Sequence, residues 1–397
     1  MQTGEWRYRI VHVMKPAKLP RSPEAALFHL LLAHPNTTPD WAALSGFAWW
    51  RAMAACPQDP IFHAEGDVAT HTRMVVEEMQ ANKEWQALST DQRGLLLLTA
   101  LLHDVGKPDT TREEAGRITA RGHSGRGEVM ARRMLWEAAV PFAVREQVCA
   151  LIRFHQVPLW LIERNDARFQ AHCISQTARC DYLAILADAD IRGRICADKE
   201  ALLLNIACFG EICREENCFT GPRAFPSDHS RYEYFRAMGT RAADYAAYEE
   251  ANRPELILLS GLPGSGKDTY VRAHLGDLPC VSLDDIRQEI GVSPTNPQEP
   301  VAAVARDRAR AYLRAGQSVV WNATNLSREM RTRRRAFADD YRARVHIIYV
   351  ESPHALQQTQ NRSRDARVPE NALERMYRTW ELPDPTEAHT LTLAIRE

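Results

Sequence analysis

At Glu255 the apolar run ELILLSG leads straight into the glycine-rich loop LPGSGKDTY, and a helical stretch follows from about Lys267. Strand, glycine loop and helix in that order are the context in which a glycine cluster binds phosphate. Backbone N–H groups of Gly264, Ser265, Gly266 and Lys267 can wrap a β-phosphate, and the helix N-terminus adds partial positive charge. Gly261 opens the loop, and Lys267 can reach the β- and γ-phosphates of ATP. The next position ordinarily supplies a Ser or Thr hydroxyl to Mg2+. Here it is Asp268, followed by Thr269. A carboxylate is also a hard oxygen ligand for Mg2+, so the sequence predicts a working ATP site with altered metal coordination.

The glycine loop opens a segment of short apolar strands alternating with helices. ELILLSG, PCVSL, QSVVWN and RVHIIYV are candidate strands, with HTLTLAI a fifth, and such alternation argues for a parallel sheet flanked by helices. Upstream the texture differs. DVATHTRMVVEEMQ, DQRGLLLLTALLHDVG, GRGEVMARRMLWEAA, REQVCALIRFH and TARCDYLAILADADIRGR all carry apolar residues at three- and four-residue spacing, the helical period. A chain of 397 residues is long for one core. The expected architecture is multidomain: an N-terminal helical extension over 1–60, an all-α domain over 61–218, a helical linker over 219–254 and an α/β domain over 255–397. Within the linker a charged, tyrosine-rich helix is expected to run to about Asn252, and in the extension Trp41, Trp49 and Trp50 suit a core.

Composition narrows the setting. A net charge of −1 with 45% hydrophobic and 25% charged residues is ordinary globular composition and leaves nucleic-acid binding open, since a local basic groove is enough. No stretch approaches the roughly 18 consecutive apolar residues of a membrane helix, so no membrane partner is expected, and the first residues do not read as a signal peptide. The nine cysteines include no Cys-x-x-Cys pair. Cys208, Cys213 and Cys218 cluster loosely in sequence and read as reduced, partly buried thiols, in keeping with the cytoplasm. The sequence says nothing of oligomeric state.

Several residues fall where a small phosphotransferase needs them. SLDDIRQEIG places Asp284 and Asp285 at the C-terminal end of the second strand of the α/β domain, the functional edge of such sheets. A carboxylate there can accept the proton of an acceptor hydroxyl, and Arg287 can grip an acceptor phosphate. The aspartates also read as a helix N-cap pair. WNATNLS brings Asn322, Thr324 and Asn325 to the same edge, and NRSRDARVPENALERM offers Arg362, Arg364 and Arg367 as an arginine run able to close over ATP. The run REMRTRRRAFADDYRAR, 328–344, either neutralises nucleic-acid phosphates or forms a solvated face.

The helical domain carries its own chemistry. LLLLTALLHDVGKP is an apolar helix ending in His103 and Asp104, adjacent groups that can converge on one ion at its edge. His71, His123, His155 and either Asp188 or Asp190 lie on separate helical segments. The ordered series suits a divalent transition metal such as Mn2+, Ni2+, Co2+ or Fe2+, which activates water and clamps phosphate oxygens. Lys107 can neutralise a bound phosphate, or it is an exposed lysine at a helix end.

GLPGSGKDTY, LDDIR, NATNL and NRSRDARVP, in this order, resemble the 5′-OH polynucleotide kinases of the bacteriophage and bacterial RNA-repair type, over about residues 255–383. The resemblance implies that Asp284 is the general base, that Arg287 holds the acceptor's 3′-side phosphate and that Arg364 contacts ATP. Arg287 and Asn325 are then the nucleic-acid-binding candidates. HAEGDVATHT, LLHDVGKPDTT, GRITARGHSGRG and ADIRGR resemble the HD phosphohydrolase superfamily over about residues 60–195, and are most similar to the HD domain appended to bacterial tRNA nucleotidyltransferases. That resemblance implies hydrolysis of 2′,3′-cyclic phosphates and related monoesters, and it favours Asp190 over Asp188 as ligand. His123 and His155 hold either a second metal or the phosphate.

The combination resembles the bacterial HD–polynucleotide kinase family. It implies end healing of RNA or DNA breaks that carry a 5′-OH and a 2′,3′-cyclic phosphate, with a nucleic-acid ligase as partner. The alternatives are a small-metabolite or nucleoside kinase fused to an HD nucleotidase, and a binding module with two degenerate sites.

Overall fold

Apolar residues at helical spacing build the first unit, and buried strand runs build the second. The computed structural model describes residues 9–10, 22–293, 295–363 and 367–397. It divides into two compact units, one ending at Ala224 and the other beginning at Phe225 and also taking in β1. The strands are β1 (Arg9–Ile10), β2 (Arg112–Glu114), β3 (Arg117–Thr119), β4 (Glu255–Ser260), β5 (Cys280–Ser282), β6 (Val319–Asn322), β7 (Arg344–Glu351) and β8 (Thr390–Ile395).

In the first unit the helices Val68–Ala81, Thr90–Leu102, His123–Glu137, Phe142–Phe154 and Cys180–Arg192 surround one apolar core. Thr90–Leu102 is its centre. All residues from Gly94 to Leu102 are buried, and a capping box between Ser89 and Gln92 fixes the helix start. Gly94 is required there by contact, since a Cβ would lie 2.4 Å from the Leu32 carbonyl oxygen. Residues 22–54 pack into this same unit. Phe28, Leu31, Leu44, Trp50 and Met53 are buried in the same core, with Trp41 and Trp49 packed against it. The antiparallel hairpin β2–β3, with Gly116 at φ 72° in its turn, interrupts the helices and was not anticipated in an all-helical segment.

The second unit is a parallel sheet of order β1-β8-β7-β4-β6-β5 flanked by helices. β4 and β7 are almost continuously buried, as strands covered on both faces must be. The five candidate strands of the α/β segment all form; β1 escaped notice because two residues carry no readable period. The helix expected to reach Asn252 covers only Asp228–Arg236. Met238 and Gly239 follow at φ 51° and 71°, which ends the helix. It packs on the sheet unit through Tyr232, whose ring lies 3.9 Å from that of His389, and through Arg231, which donates to the His389 carbonyl at 2.7 Å.

Candidate functional sites

In the helical unit, His71, His103, Asp104, His123, His155 and Asp190 come together and are all buried. Three of the rings are oriented by the same local device. Each sits at or near a helix end and donates from Nδ1 to a backbone carbonyl three residues back: His103 to Ala100 at 2.8 Å, His123 to Ala120 at 2.8 Å and His155 to Ile152 at 2.7 Å. The Nδ1 of His71 lies 3.0 Å from Glu65. The carbonyl partners fix the tautomer of those three rings and leave their Nε2 lone pairs facing inward.

The inward atoms crowd one another. His71 Nε2 is 3.0 Å from Asp190 Oδ1, His123 Nε2 is 3.3 Å from Asp104 Oδ1, and the Nε2 atoms of His123 and His155 are 3.3 Å apart. With the ring protons of His123 and His155 on Nδ1, the two His123 contacts are between acceptors, repulsive unless a cation lies among them. His71 Nε2, His103 Nε2 and Asp104 Oδ1 are buried without a hydrogen-bond partner. The donor set therefore fits a divalent metal. Asp104 belongs to two three-residue groups, one with His71 and His103 and one with His123 and His155, the position of a carboxylate able to bridge two ions.

Charges around the cluster are compensated. Burial pushes the carboxyl groups of Asp104 and Asp190 up, but Lys107 beside the first and Arg194 beside the second hold both well below the usual carboxylate range. Burial, with His123 as a second cause, lowers His155 to about 3. For His103 burial is outweighed by Asp104 and Asp190, and its pKa is raised. Lys107 is buried, with Nζ 2.7 Å from Asp104 and donating to Gln58 at 2.6 Å, so it is not the exposed helix-end residue of the alternative reading. Asp188 turns away and pairs with Asn82 and Arg192; Asp190 faces the cluster and is gripped by both arms of Arg194. Glu65, Gln58 and Arg194 were not singled out from sequence, although all three lie within or beside the quoted motifs. A pocket of about 340 Å³ opens beside Lys107, His123 and Arg194, with Phe62, Arg121 and Trp160 along its lining.

In the sheet unit, the loop after β4 has the shape its glycines require. Gly261, Gly264 and Gly266 have φ of 147°, 77° and 98°. A Cβ on Gly261 would lie 2.3 Å from the Val350 carbonyl, and one on Gly264 would lie 2.8 Å from the Gln357 carbonyl. Lys267 begins the following helix and donates to the carbonyls of Gly261 and Leu262 at 2.8 Å each. The Ser265 hydroxyl is buried without a hydrogen-bond partner, a donor suited to an incoming phosphate. Asp268 accepts from Asn322 Nδ2 at 2.8 Å, and Thr269 is exposed beside it.

The β5–β6 register pairs Ser282 with Asn322, which sets the helix Leu283–Glu289 at the same edge. Ser282, rather than either aspartate, caps that helix by accepting from Asp285 N. Asp284 is thereby released from a capping role; it is 62% exposed and paired with Arg287, which also donates to Gln298 at 2.6 Å. Asn325 departs from expectation. It is buried at φ 41°, and its amide donates to the Leu259 carbonyl at 2.7 Å. It ties the end of β6 to β4, and its side chain does not face an incoming nucleic acid. Arg364 lies outside the described residues. Beside it, Asn361 is buried and brackets the arginine segment by hydrogen bonds to both backbone groups of Val368, at 3.0 and 3.2 Å. Gln357 on the same helix donates to the Pro263 carbonyl at 2.6 Å. The phosphate loop and the arginine segment thus share one support.

Comparison with known proteins agrees with this division. Residues 67–192 match the HD domain family, and residues 256–383 match a family described as an AAA domain. No curated protein matches the chain at a significant level. Among solved structures it is similar to a putative kinase from Chloroflexus aurantiacus, at 21% identity over 37% of this chain and 87% of that one, with a TM-score of 0.31. It is also similar to Chaetomium thermophilum Kti12 in complex with ADP-AlF3, at 22% identity over 35% and 88% of the two chains, with a TM-score of 0.29. A third similar structure is a gluconokinase from Sinorhizobium meliloti, at 20% identity over 36% and 82%, with a TM-score of 0.27. The chain joins an HD domain to a P-loop kinase-like domain. The first implies a divalent metal held by the His/Asp cluster, and the second implies ATP and Mg2+.

Proposed function

We propose that this chain is a two-site end-healing enzyme. Its kinase-like domain phosphorylates 5′-OH polynucleotide ends from ATP, and its HD domain removes 2′,3′-cyclic phosphate and 2′- or 3′-phosphate ends. The observation that carries the reading is the Asp284–Arg287 pair at the edge where β5 ends, beside Asn322 and Asp268. A base and a phosphate-gripping guanidinium one helical turn apart suit an acceptor that presents a hydroxyl with a phosphate one nucleotide away.

In the kinase step Asp284 takes the proton of the attacking hydroxyl while Arg287 aligns the acceptor. Loop amides and Lys267 hold the β- and γ-phosphates, and the arginines of the 362–367 run supply charge to them. Asp268, oriented by Asn322, would be the protein ligand of Mg2+, which would offset phosphate charge. In the HD domain the six-residue cluster would hold a divalent metal, which would supply an activated water and polarise the phosphate. Lys107, braced by Gln58, and the pocket arginines position the phosphate. Phe62 and Trp160, 43% and 46% exposed in that pocket, offer faces on which a terminal base can stack.

A small hydroxyl metabolite is the second reading of the kinase acceptor, and one observation favours it. In the basic helix Arg328–Asp339, Arg331 is buried against Glu387, Arg328 pairs with Asp384, and Arg334 lies 4.4 Å from the centre of the Trp321 ring. Those three arginines are engaged within the fold, which leaves fewer for a phosphate-binding strip. Transfer of 32P from ATP discriminates the two: label entering a 5′-OH oligonucleotide, and lost with Asp284→Asn, supports the end-healing reading. Label entering only sugars or nucleosides contradicts it.

A further inference from the structure

A second side-chain cluster of metal-ligating type lies in the helical unit, and it shares one helix, Cys180–Arg192, with the His/Asp site. Cys180, Cys213 and Cys218 bring their Sγ atoms within 4.8 Å of one another, at 0%, 0% and 1% exposure. The sequence grouped Cys213 and Cys218 with Cys208, but the structure replaces Cys208 with a residue more than thirty positions away in the chain.

Backbone hydrogen bonds fix this convergence. The helix Lys199–Glu215 ends in a turn in which Asn217 has φ 52°, Asn217 N donates to Arg214 O at 3.0 Å and Cys218 N donates back to Cys213 O at 2.8 Å. This is the Schellman arrangement, and it folds Cys218 over Cys213. The next residue, Phe219, accepts from Asp181 N at 2.9 Å, which draws the turn against the first residue of the helix Cys180–Arg192. Cys180 therefore sits at the first position of that helix, facing the turn. Cys218 Sγ lies 3.9 Å from the Ala171 carbonyl. The following residue, His172, is buried with Nε2 3.0 Å from Glu216, the carboxylate–imidazole pairing found behind metal-bound histidines.

We propose that Cys180, Cys213 and Cys218 form a structural site for a soft divalent cation, zinc above all, separate from the His/Asp centre. Thiolates select such ions, and buried three- or four-cysteine sets hold zinc in closed, non-catalytic sites. His172 is the neighbouring side chain of a type able to supply the fourth ligand. Loading releases the thiol protons to solvent as the three sulfur–metal bonds form. The ion would pin the start of the helix that carries Asp190 further along, and so steady a ligand of the catalytic cluster. The assignment needs neither the end-healing reading nor the identity of the HD substrate.

The test uses the full chain purified from zinc-supplemented medium. X-ray absorption at the zinc edge should show a sulfur shell at about 2.3 Å. Cobalt exchanged into the protein should give a thiolate-to-cobalt charge-transfer band, which the nitrogen and oxygen ligands of the His/Asp centre cannot produce. That band should persist in Asp104→Ala and disappear in Cys213→Ser. Should Cys213→Ser fail to fold, the wild-type sulfur shell still decides the matter. Zinc bound with no sulfur neighbours would overturn the proposal, as would cobalt uptake without the band. A disulfide among these cysteines in freshly isolated protein would overturn it equally.

Discussion

Replacing Asp268 by alanine tests whether the unusual residue after the loop lysine belongs to the nucleotide site. Asp268 is exposed and accepts a hydrogen bond from Asn322 at 2.8 Å. An exposed bond of this kind contributes about 1 kcal/mol net. The carboxylate also lies in the first turn of the helix Lys267–His274, where favourable charge–dipole interaction adds about 0.3–1 kcal/mol. The fold should therefore lose only about 1–2 kcal/mol, visible as a small fall in Tm. Metal dependence should change more. Loss of one oxygen ligand worth about 1.4 kcal/mol raises the Mg2+ concentration for half-maximal kinase activity about tenfold. The assay is ATP turnover against Mg2+ with ATP saturating, for wild type, Asp268→Ala, Asn322→Ala and the double variant. Asn322→Ala keeps the carboxylate but not its orientation, so a smaller shift is expected, and the double variant should match Asp268→Ala. Unchanged Mg2+ dependence in Asp268→Ala, with wild-type turnover, would refute the assignment.

Three further outcomes follow from particular contacts. Gly261→Ala places a Cβ 2.3 Å from a backbone carbonyl at φ 147°, so ATP binding should be lost with a stability decrease of about 1–3 kcal/mol, read by nucleotide titration and thermal melting. Arg331→Met strips buried Glu387 of its hydrogen-bonded guanidinium and leaves it only the longer Arg328 contact at 3.8 Å, a loss of about 3 kcal/mol by denaturant unfolding. The same pair sets a pH dependence. Burial pushes the Glu387 carboxyl up, but Arg331 and Arg328 outweigh it and lower the pKa below the ordinary glutamate value. Its folded pKa is depressed, so the stabilisation is fully present above the unfolded pKa and is lost as pH falls through the folded one. Glu387→Gln should flatten that acid-side loss in melting curves, and an unaltered pH profile would show that the pair is not responsible.

Much of this architecture was legible because it is local. The strands ELILLSG and RVHIIYV are buried on both faces and read as apolar runs, and the glycines of the loop announce positive φ at the positions where it occurs. His103 and Asp104 are adjacent in sequence, and the other ligands recur at the ends or inner faces of helices with a readable period. Partners made by tertiary contact were not legible. Glu65 behind His71, Gln58 behind Lys107 and Arg194 around Asp190 have roles fixed by packing. Asn325 looked like an edge residue, but its positive φ turns its amide into the sheet. Cys180 joins Cys213 and Cys218 through packing of their helices and the Phe219 carbonyl that accepts from Asp181 N. The hairpin β2–β3 and the two-residue β1 were too short to carry a period.

The most direct measurement follows both ends of one short RNA that carries a 5′-OH and a 2′,3′-cyclic phosphate, incubated with ATP, Mg2+ and Mn2+ or Ni2+ and read by gel mobility and mass. The account predicts a phosphate gained at the 5′ end and phosphate removed at the other, with Asp284→Ala abolishing only the first change and Asp104→Ala only the second. Both RNA ends unchanged while ATP or free nucleotides are consumed would contradict it and place the acceptor among small metabolites.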